Sequence, residues 1–265
     1  MTIEGVDLSY ARPGGAAISA AGKRFVVRYL TGAGKALTAA EIADYHAHGL
    51  GIALVFESTK GRVLGGVPAG IADATNSVAA CTKLGIPQTI PVYFAVDFDA
   101  QPGQQAAIDA YLRAAASVLG AARVGVYGGI NVINRCHANG SAQWFWQTYA
   151  WSGGKVAPFI HLYQYHNGQK INGGAVDFCR AYRANYGQWP QPVAPSIAYR
   201  VAITGYTPLY SQPGGTRLGA VRLATYTCSR SKVGGLWWYR ITGPTKSKNV
   251  GRSFKPNRHT KVSAT

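Results

Sequence analysis

The chain has 265 residues, 47% of them hydrophobic and 14% charged, so it can bury a large core and is not expected to be disordered. It contains no run of about 18 apolar residues, so no membrane span is predicted. Its four cysteines lie far apart and fit neither a zinc site nor a disulfide scaffold, so we interpret them as buried thiols and expect no metal or cofactor.

The charge is unevenly distributed along the chain. Residues 1–187 carry 15 Lys and Arg against all 10 Asp and Glu, a net charge of +5. Residues 188–265 carry 12 Lys and Arg and no acid, a net charge of +12. Such a segment is expected to meet a polyanion, which could be nucleic acid, anionic lipid or an acidic cell-wall polymer. The alternative is a surface that is basic only for solubility.

Short apolar strands alternate with helical segments through residue 186. The predicted strands are Gly5–Ser9, Phe25–Leu30, Gly51–Ser58, Thr89–Asp99, Val124–Gly128, Gln143–Trp151, Ile160–Tyr165 and Gly174–Phe178. A helix is predicted to start at the capping-box pair Thr38 and Glu41, and two more cover Ala72–Leu84 and Gln104–Leu119, each followed by glycine. Eight strands alternating with helices predict an α/β fold, a compact (β/α)8 TIM-like barrel over residues 1–187.

The remaining residues predict a linker and a second domain. Residues 188–196 contain three prolines and are interpreted as a proline-rich linker. Residues 197–265 contain short β-like runs separated by Gly and Pro, which predict a small all-β barrel. The runs are Ala198–Ile203, Thr207–Tyr210, Arg217–Leu223, Thr225–Ser229 and Leu236–Ile241.

The strand predicted over residues 89–99 ends in two acids. Asp97 and Asp99 are two residues apart, so in a regular strand they share a face at a backbone separation of roughly 6–7 Å. Two carboxylates at that spacing suit acid–base chemistry on a glycosidic bond. For Asp99 alone, capping of the following turn is an equal alternative.

Other acids end other predicted strands. Asp7, Glu57 and Asp177 close strands one, three and eight, and their position in the alternation predicts that they face the barrel interior. Because TIM-barrel chemistry sits at the carboxyl ends of the strands, we expect these three to join Asp97 and Asp99 in one catalytic site. Arg28, at the end of strand two, is the expected inward-facing base.

Aromatic and amide side chains occur near the same strand ends, a combination typical of sugar-binding clefts. Each one taken singly is equally compatible with a role in the core. The predicted substrate contacts are Arg28, Tyr93, Tyr127, Trp146, Gln147, Trp151 and Gln164.

Several motifs carry a family resemblance when taken together. They are Gly5-Val-Asp7, Phe25-Val-Val-Arg-Tyr29, Val92-Tyr-Phe-Ala-Val-Asp97-Phe-Asp99, Gly125-Val-Tyr-Gly128, Trp146-Gln-Thr-Tyr-Ala-Trp151, Val176-Asp177 and Tyr186-Gly-Gln-Trp189. Over residues 3–189 the chain resembles the glycoside-hydrolase-like barrel domain first catalogued as of unknown function, which is similar to the family 25 lysozymes. The tail, with Leu236-Trp-Trp-Tyr-Arg240, resembles a bacterial SH3-type wall-binding module. The whole arrangement resembles the endolysins of bacteriophages that infect actinobacteria.

The resemblance implies a muramidase that cleaves between N-acetylmuramic acid and N-acetylglucosamine. Asp7 and Asp97 would orient or stabilise an oxazolinium-like species formed with the substrate's acetamido group. Asp99 stands where the lysozymes carry a Glu as general acid, and it is one methylene shorter. Glu57 on the adjacent strand is the alternative proton donor. A monomer is expected, made in the cytoplasm without a signal peptide and reaching the wall through a separate export or holin system.

Three functions remain open at this point. The first is a peptidoglycan glycosidase whose basic tail binds an anionic wall polymer. The second is a carbohydrate-binding barrel without catalysis. The third is a basic protein associated with nucleic acid or the virion.

Overall fold

The computed structural model describes residues 2–190, 199–213, 215–221, 224–233, 236–243, 253–258 and 260–264. The chain divides into two compact units, residues 1–192 and 193–265. The predicted linker falls mostly on residues 191–198, which lie outside the described part.

Eight strands close into a barrel in chain order, as the sequence predicts. They are β1 (Ile3–Asp7), β2 (Phe25–Tyr29), β3 (Gly51–Phe56), β4 (Val92–Ala95), β5 (Val124–Gly128), β6 (Trp144–Thr148), β7 (Leu162–Ile171) and β8 (Gly174–Ala181). Successive strands from β1 to β7 are parallel to one another, whereas β8 is antiparallel to both β7 and β1. The barrel is therefore not a regular (β/α)8 array: β7 and β8 form a hairpin, because two residues are too few for a parallel crossover.

Five α-helices occur in the described part of the barrel unit, one after each of the first five strands. They are α1 (Gly15–Ala20), α2 (Ala39–Ala47), α3 (Gly66–Leu84), α4 (Gln105–Leu119) and α5 (Ile130–Ala138), with 3-10 turns at Arg62–Gly65, Pro102–Gln104 and Ala121–Arg123. The predicted capping box of Thr38 and Glu41 starts α2. Helix α3 begins six residues before its predicted start, because Pro68 in its first turn needs no N–H partner there.

Aromatic side chains fill the barrel interior. The rings of Tyr93 and Trp146 meet edge to face with centroids 6.1 Å apart, and the Tyr93 hydroxyl donates to the Tyr186 carbonyl at 2.7 Å. Room for these rings comes from glycines on neighbouring strands. A Cβ at Gly5 would lie 2.4 Å from the Phe25 ring, and one at Gly125 would lie 2.7 Å from the Tyr93 ring. Side chains on the opposite strand faces form a second apolar cluster with the helices.

The barrel unit continues past residue 187, where the sequence analysis ended it. Trp189 exchanges two backbone hydrogen bonds with Ile52 at 2.8 Å, and its ring meets His46 edge on. This closing segment lies at the amino-terminal end of β3, opposite the end at which the predicted acids lie.

The second unit contains a seven-stranded antiparallel sheet in its described part. The strands are β9 (Tyr199–Ile203), β10 (Thr207–Tyr210), β11 (Arg217–Val221), β12 (Ala224–Val233), β13 (Leu236–Gly243), β14 (Ser253–Phe254) and β15 (Thr260–Ala264). Their order is β11-β10-β14-β13-β12-β9-β15. Buried Val201, Leu209, Tyr239, Ile241 and Phe254 belong to its core.

Two further findings concern the cysteines and the helices. The side chains of all four cysteines are buried, as predicted. Among the described residues, no helix combines the length and hydropathy needed to cross a membrane.

Candidate active site

A pocket of about 190 Å³ opens at the carboxyl-terminal end of strands β1 to β6, which we call the mouth. Four of the five predicted catalytic acids line it. The lining residues are Asp7, Tyr29, Val55, Glu57, Ala95, Asp97, Tyr127, Trp146, Gln164, Asn167 and Asp177. As predicted, the side chains of Asp7, Glu57, Asp97 and Asp177 therefore lie together in one pocket at the mouth.

One side of the pocket holds two carboxylates bridged by an amide. The Gln164 Nε2 group donates to Asp7 Oδ2 at 3.1 Å and to Asp177 Oδ2 at 3.3 Å. Its Oε1 accepts from Tyr127 at 2.8 Å and from Thr148 at 2.9 Å, which fixes the orientation of the amide. We call Asp7 and Asp177 the bridged pair.

The bridged pair is poorly compensated by positive charge. Asp7 is 5% exposed, and its Oδ1 is buried without a hydrogen-bond partner. Burial, and next the nearby Asp177 carboxylate, raise the pKa of Asp7 well above its usual range. Burial also raises the pKa of Asp177, although the Gly168 N–H donates to its Oδ1 at 2.8 Å. Protonation of this pair is therefore favoured.

Asp177 lies at the mouth because of a strand direction that differs from the predicted one. It was placed there as the carboxyl end of a parallel strand, but β8 runs the other way, and its amino-terminal half lies at the mouth. Asp177 sits directly opposite Asp7 in the β1–β8 register. The sequence predicts its place at the mouth, but from an incorrect strand direction.

The other side of the pocket holds Glu57 and Asp97, each beside a lysine. Lys35 Nζ lies 2.9 Å from Glu57 Oε2, and both side chains are mostly buried, at 18% and 14% exposure. Lys60 Nζ lies 3.7 Å from Asp97 Oδ2, but the Lys60 side chain is 78% exposed. Burial, and next the Glu57 carboxylate, raise the pKa of Asp97. We call Glu57 and Asp97 the flanked pair.

Asp99 does not lie in the pocket, which differs from the prediction. Strand β4 ends at Ala95. A hydrogen bond from the Val96 N–H to the Tyr127 carbonyl keeps the next residues extended, so the side chain of Asp97 still points to the same face as that of Ala95. The chain then turns, with the Ala100 N–H bonded to the Phe98 carbonyl at 2.9 Å. Asp99 is exposed as a result. Strand β4 thus ends four residues earlier than the sequence predicts.

Arg28 also lies elsewhere than predicted. Strand β2 places Phe25, Val27 and Tyr29 in the barrel interior, so Arg28 points outward toward α2. It is fully buried there, and its Nη2 donates to Glu41 Oε1 at 2.9 Å and to the Lys35 carbonyl at 3.0 Å. The prediction of an inward base and sugar contact at Arg28 is wrong.

The predicted substrate contacts divide into two groups. Tyr127, Trp146 and Gln164 line the pocket. Gln147 faces away from the interior, where its amide bonds to the Lys155 carbonyl and the Ala157 N–H, so it supports the loop after β6.

Tyr93 and Trp151 also lie outside the lining. Tyr93 is fully buried beneath the pocket floor. Trp151 is 40% exposed in the loop after β6, at a left-handed φ of 55°.

Four polar side chains near the acids were not predicted. Tyr29 and Asn167 line the pocket, and Lys35 and Lys60 contact its carboxylates. Tyr29 could have been found from register, because Val27 pairs with Asp7 and Tyr29 is two residues further on the same face. The lysines lie in loops, where no periodicity indicates direction. Among the described residues, no group of three or more His, Cys, Asp or Glu could hold a metal ion.

A closed eight-stranded barrel with carboxylates gathered at its mouth fits the class of glycoside-hydrolase-like barrel proteins. Residues 16–181 match the model of the Rv2525c-like, glycoside hydrolase-like domain family, and the chain belongs to that family.

One relative and its crystal structure resemble this chain over most of the barrel. The Mycobacterium tuberculosis protein Rv2525c, named as a proposed peptidoglycan hydrolase, is 31% identical over 187 residues, which are 65% of this chain and 78% of the relative. The crystal structure of Tat-secreted Rv2525c with L-tartrate superposes with a TM-score of 0.68 at 28% identity, covering 70% of this chain and 98% of that one.

A second solved structure supports the fold alone. It is an uncharacterized B. stearothermophilus protein, with a TM-score of 0.53 at 20% identity, covering 68% of this chain and 96% of that one.

Proposed function

We propose that this protein is a glycoside hydrolase that cleaves the glycan of bacterial peptidoglycan. The observation that carries the proposal is the flanked pair: Glu57 and Asp97 share one small pocket, and both are accessible to a ligand that enters it. Glycosidic bond cleavage requires one carboxylic acid to protonate the leaving oxygen and one carboxylate to act at the sugar carbon. The raised pKa of Asp97 supports a protonated carboxyl in this pair.

The rest of the pocket supports a sugar ligand. The rings of Tyr127 and Trp146 lie 4.4 Å apart at their centroids and give the pocket an aromatic wall. The Asp7 Oδ1 atom is a buried acceptor without a partner, so a ligand N–H or O–H that reached it would satisfy it. An acetamido group carries such a donor. Holding that group at Asp7 would orient the sugar in the pocket for cleavage by the flanked pair.

Peptidoglycan is proposed as the substrate from the relative's name and from the basic second unit. Rv2525c is named as a proposed peptidoglycan hydrolase. Residues 188–265 of this chain carry 12 Lys and Arg and no acid. A basic module attached to a glycosidase barrel would keep it on an anionic wall, so we propose the cell wall as the place of action.

The catalytic proposal is tested by incubating the purified full chain with purified peptidoglycan and measuring new reducing ends. A glycosidase produces reducing ends that increase with time, and Asp97→Asn should lose them. A protein that only binds carbohydrate would sediment with the wall material and release none. That outcome would contradict the proposal.

We also propose that the second unit is an SH3-like wall-binding module. Trp237 is 45% exposed on β13, and Arg217 lies over the Tyr206 ring at 5.6 Å, so both aromatic and cationic groups reach the surface. Charge attraction to a polyanion is screened over a Debye length of about 8 Å at physiological salt, whereas a stacked sugar contact is much less affected.

The module is tested with the full chain and sedimented cell walls. The protein should sediment with the walls at low salt and be partly released by added salt, while cleavage of soluble wall fragments changes little. Failure to sediment at low salt would contradict wall attachment. Binding to DNA that falls steeply with salt would favour the nucleic-acid alternative.

A further inference from the structure

Two exposed aromatic side chains stand on the turn after β6, beside the mouth. Tyr149 is 43% exposed and Trp151 is 40% exposed. The turn follows the carboxyl-terminal end of β6, which is the end at which the pocket opens. Within the described part of the chain, neither side chain makes a hydrogen bond or a ring contact. No internal polar or aromatic partner therefore accounts for their position.

The backbone at Trp151 is strained. Its φ of 55° lies in the left-handed region, which a bulky side chain rarely adopts because its Cβ crowds the backbone carbonyl. Glycine would fit this φ without strain. Strained residues persist where surrounding contacts enforce them, and they cluster at binding and catalytic sites. A tryptophan at this position thus points to a role for the ring itself.

Buried hydrogen bonds hold the turn in this shape. The Ser152 hydroxyl donates to the Thr148 carbonyl at 2.6 Å and accepts from the Ile130 N–H at 3.0 Å. The Gln147 amide donates to Ser152 Oγ at 3.2 Å and to the Lys155 carbonyl at 2.8 Å. The two rings therefore stand on a rigid support, which reduces the entropy lost when a ligand binds.

The same turn is joined to the pocket by hydrogen bonds. The Tyr149 N–H donates to the Gln164 carbonyl at 2.9 Å. Thr148 Oγ1 donates to Gln164 Oε1 at 2.9 Å and accepts from the Ala150 N–H at 3.3 Å. Since the Gln164 amide also contacts both carboxylates of the bridged pair, the turn is fixed relative to the carboxylates of the pocket.

The composition of the turn favours a neutral sugar ring over a charged partner. Residues 148–155 contain one lysine and no acid, and two adjacent glycines, 153 and 154, add no side chain beside the rings. Aromatic faces with little charge around them suit the apolar C–H face of a pyranose ring.

The pocket alone is too small for a glycan chain. Its volume is about 190 Å³, whereas pockets that enclose a drug-sized ligand have about 300–1,000 Å³. A polymer that reaches the carboxylates must therefore continue over the rim of the pocket, and the turn after β6 is part of that rim.

We propose that Tyr149 and Trp151 form a stacking platform, a binding site for a sugar unit of the chain that lies outside the pocket. The proposal rests on the proposed glycosidase function for the identity of that chain. It moves the predicted sugar contact of Trp151 from the pocket to the rim. It also makes the protein select glycan chains over single sugars, because only a chain reaches both the pocket and the platform.

The first test locates the contact without using catalysis. The full chain carrying Asp97→Asn, which prevents cleavage, is titrated with a peptide-free glycan fragment of six sugars. The chain has six tryptophans, so its ¹⁵N spectrum holds at most six indole N–H signals, and Trp151→Asn identifies the one from Trp151. The fragment should shift this signal.

The second test measures kcat and KM on the six-sugar fragment. Trp151→Asn removes the ring and keeps the turn, because asparagine tolerates left-handed φ better than most residues. It should raise KM by about 10-fold with kcat nearly unchanged, since binding outside the pocket is the same in the ground and transition states. Trp151→Tyr should restore most of the loss.

Tyr182→Ala is the matched control. Tyr182 is an aromatic residue of similar exposure, 38%, but it follows β8 at the end of the barrel opposite the mouth. Its substitution should change KM by less than about 3-fold and leave the Trp151 signal responsive to the fragment.

The outcomes separate the two proposals. An indole signal of Trp151 that stays in place at saturating fragment would overturn the platform, as would an unchanged KM in a folded Trp151→Asn variant. A signal that moves with free stem peptide and not with glycan would also overturn it. A signal that moves with glycan, in a protein whose wild type releases no reducing ends, would support the platform and overturn the glycosidase.

Discussion

The two carboxylate pairs of the pocket lie side by side, and their surroundings differ. The bridged pair, Asp7 and Asp177, shares one amide donor from Gln164 and touches no cation in the described structure. The flanked pair, Glu57 and Asp97, has a lysine at each member and is more open. Burial raises the pKa of Asp7, Asp177 and Asp97, and of these three only Asp97 has a lysine in contact with its carboxylate. One cleft thus holds two carboxylate pairs in different electrostatic surroundings, and such differences are how neighbouring acids take different roles in acid–base catalysis.

The largest expected effect comes from removing the acid of the flanked pair. Asp97→Asn should reduce wall lysis by about 10²- to 10⁴-fold, the range that general acid–base groups contribute. The thermal midpoint should stay the same or rise, because a partly buried carboxyl beside Glu57 is lost. Turbidity clearance and thermal unfolding measure the two quantities. Full activity in this variant would remove Asp97 from the mechanism.

A smaller effect distinguishes Glu57 from Asp99. Glu57→Gln should reduce activity by about 10²-fold, while Asp99→Asn should change it by less than about 3-fold, because Asp99 is exposed outside the pocket. The two substitutions are matched, since each replaces a carboxylate by its amide. If Asp99→Asn were the more damaging, the lysozyme-like position would be the acid and the flanked pair would be misassigned.

The bridged pair is expected to make the free energy of unfolding depend on pH. The raised pKa of Asp7 means that its ionised form costs free energy in the folded state, and the cost grows as pH rises from the ordinary value of 3.8 through the raised one. Asp7→Asn should therefore raise the free energy of unfolding by about 1–2 kcal/mol at neutral pH. Below pH 3.8 both states are protonated and the gain should vanish.

Denaturant unfolding at pH 7 and pH 3 measures this difference. A gain at both values would point to better packing and not to relief of a buried charge. The corresponding change at Glu57 gives the contrast, because Glu57→Gln breaks an ion pair with Lys35 and should not stabilise the protein at neutral pH.

Much of this site could be predicted from two rules: side chains alternate between the two faces of a strand, and the active sites of barrels lie at the carboxyl ends of the strands. Asp7, Glu57 and Asp97 lie where those rules place them, and the aromatic residues Tyr127 and Trp146 join them. The rules failed where a strand was assumed to continue, at Asp99. They also failed where both faces of a strand are buried, because neither face of β2 is polar enough to show that Arg28 points outward.

Other features could not be read from periodicity. The reversed direction of β8 depends on a two-residue turn after β7, whose asparagine and glycine, Asn172 and Gly173, both have positive φ. The Asn-Gly pair is a hairpin signal that would have favoured an antiparallel strand. Arg12 and Arg28 position Lys35 by donating hydrogen bonds to carbonyls of its loop. These tertiary contacts leave no pattern in the sequence.

The most direct test of the central claim is mass spectrometry of purified peptidoglycan digested by the full chain, with Asp97→Asn digested in parallel. We expect soluble fragments with new reducing sugar ends from the wild type and none from the variant. Fragments with new peptide amino ends and intact glycan chains would contradict it, as would an undigested wall.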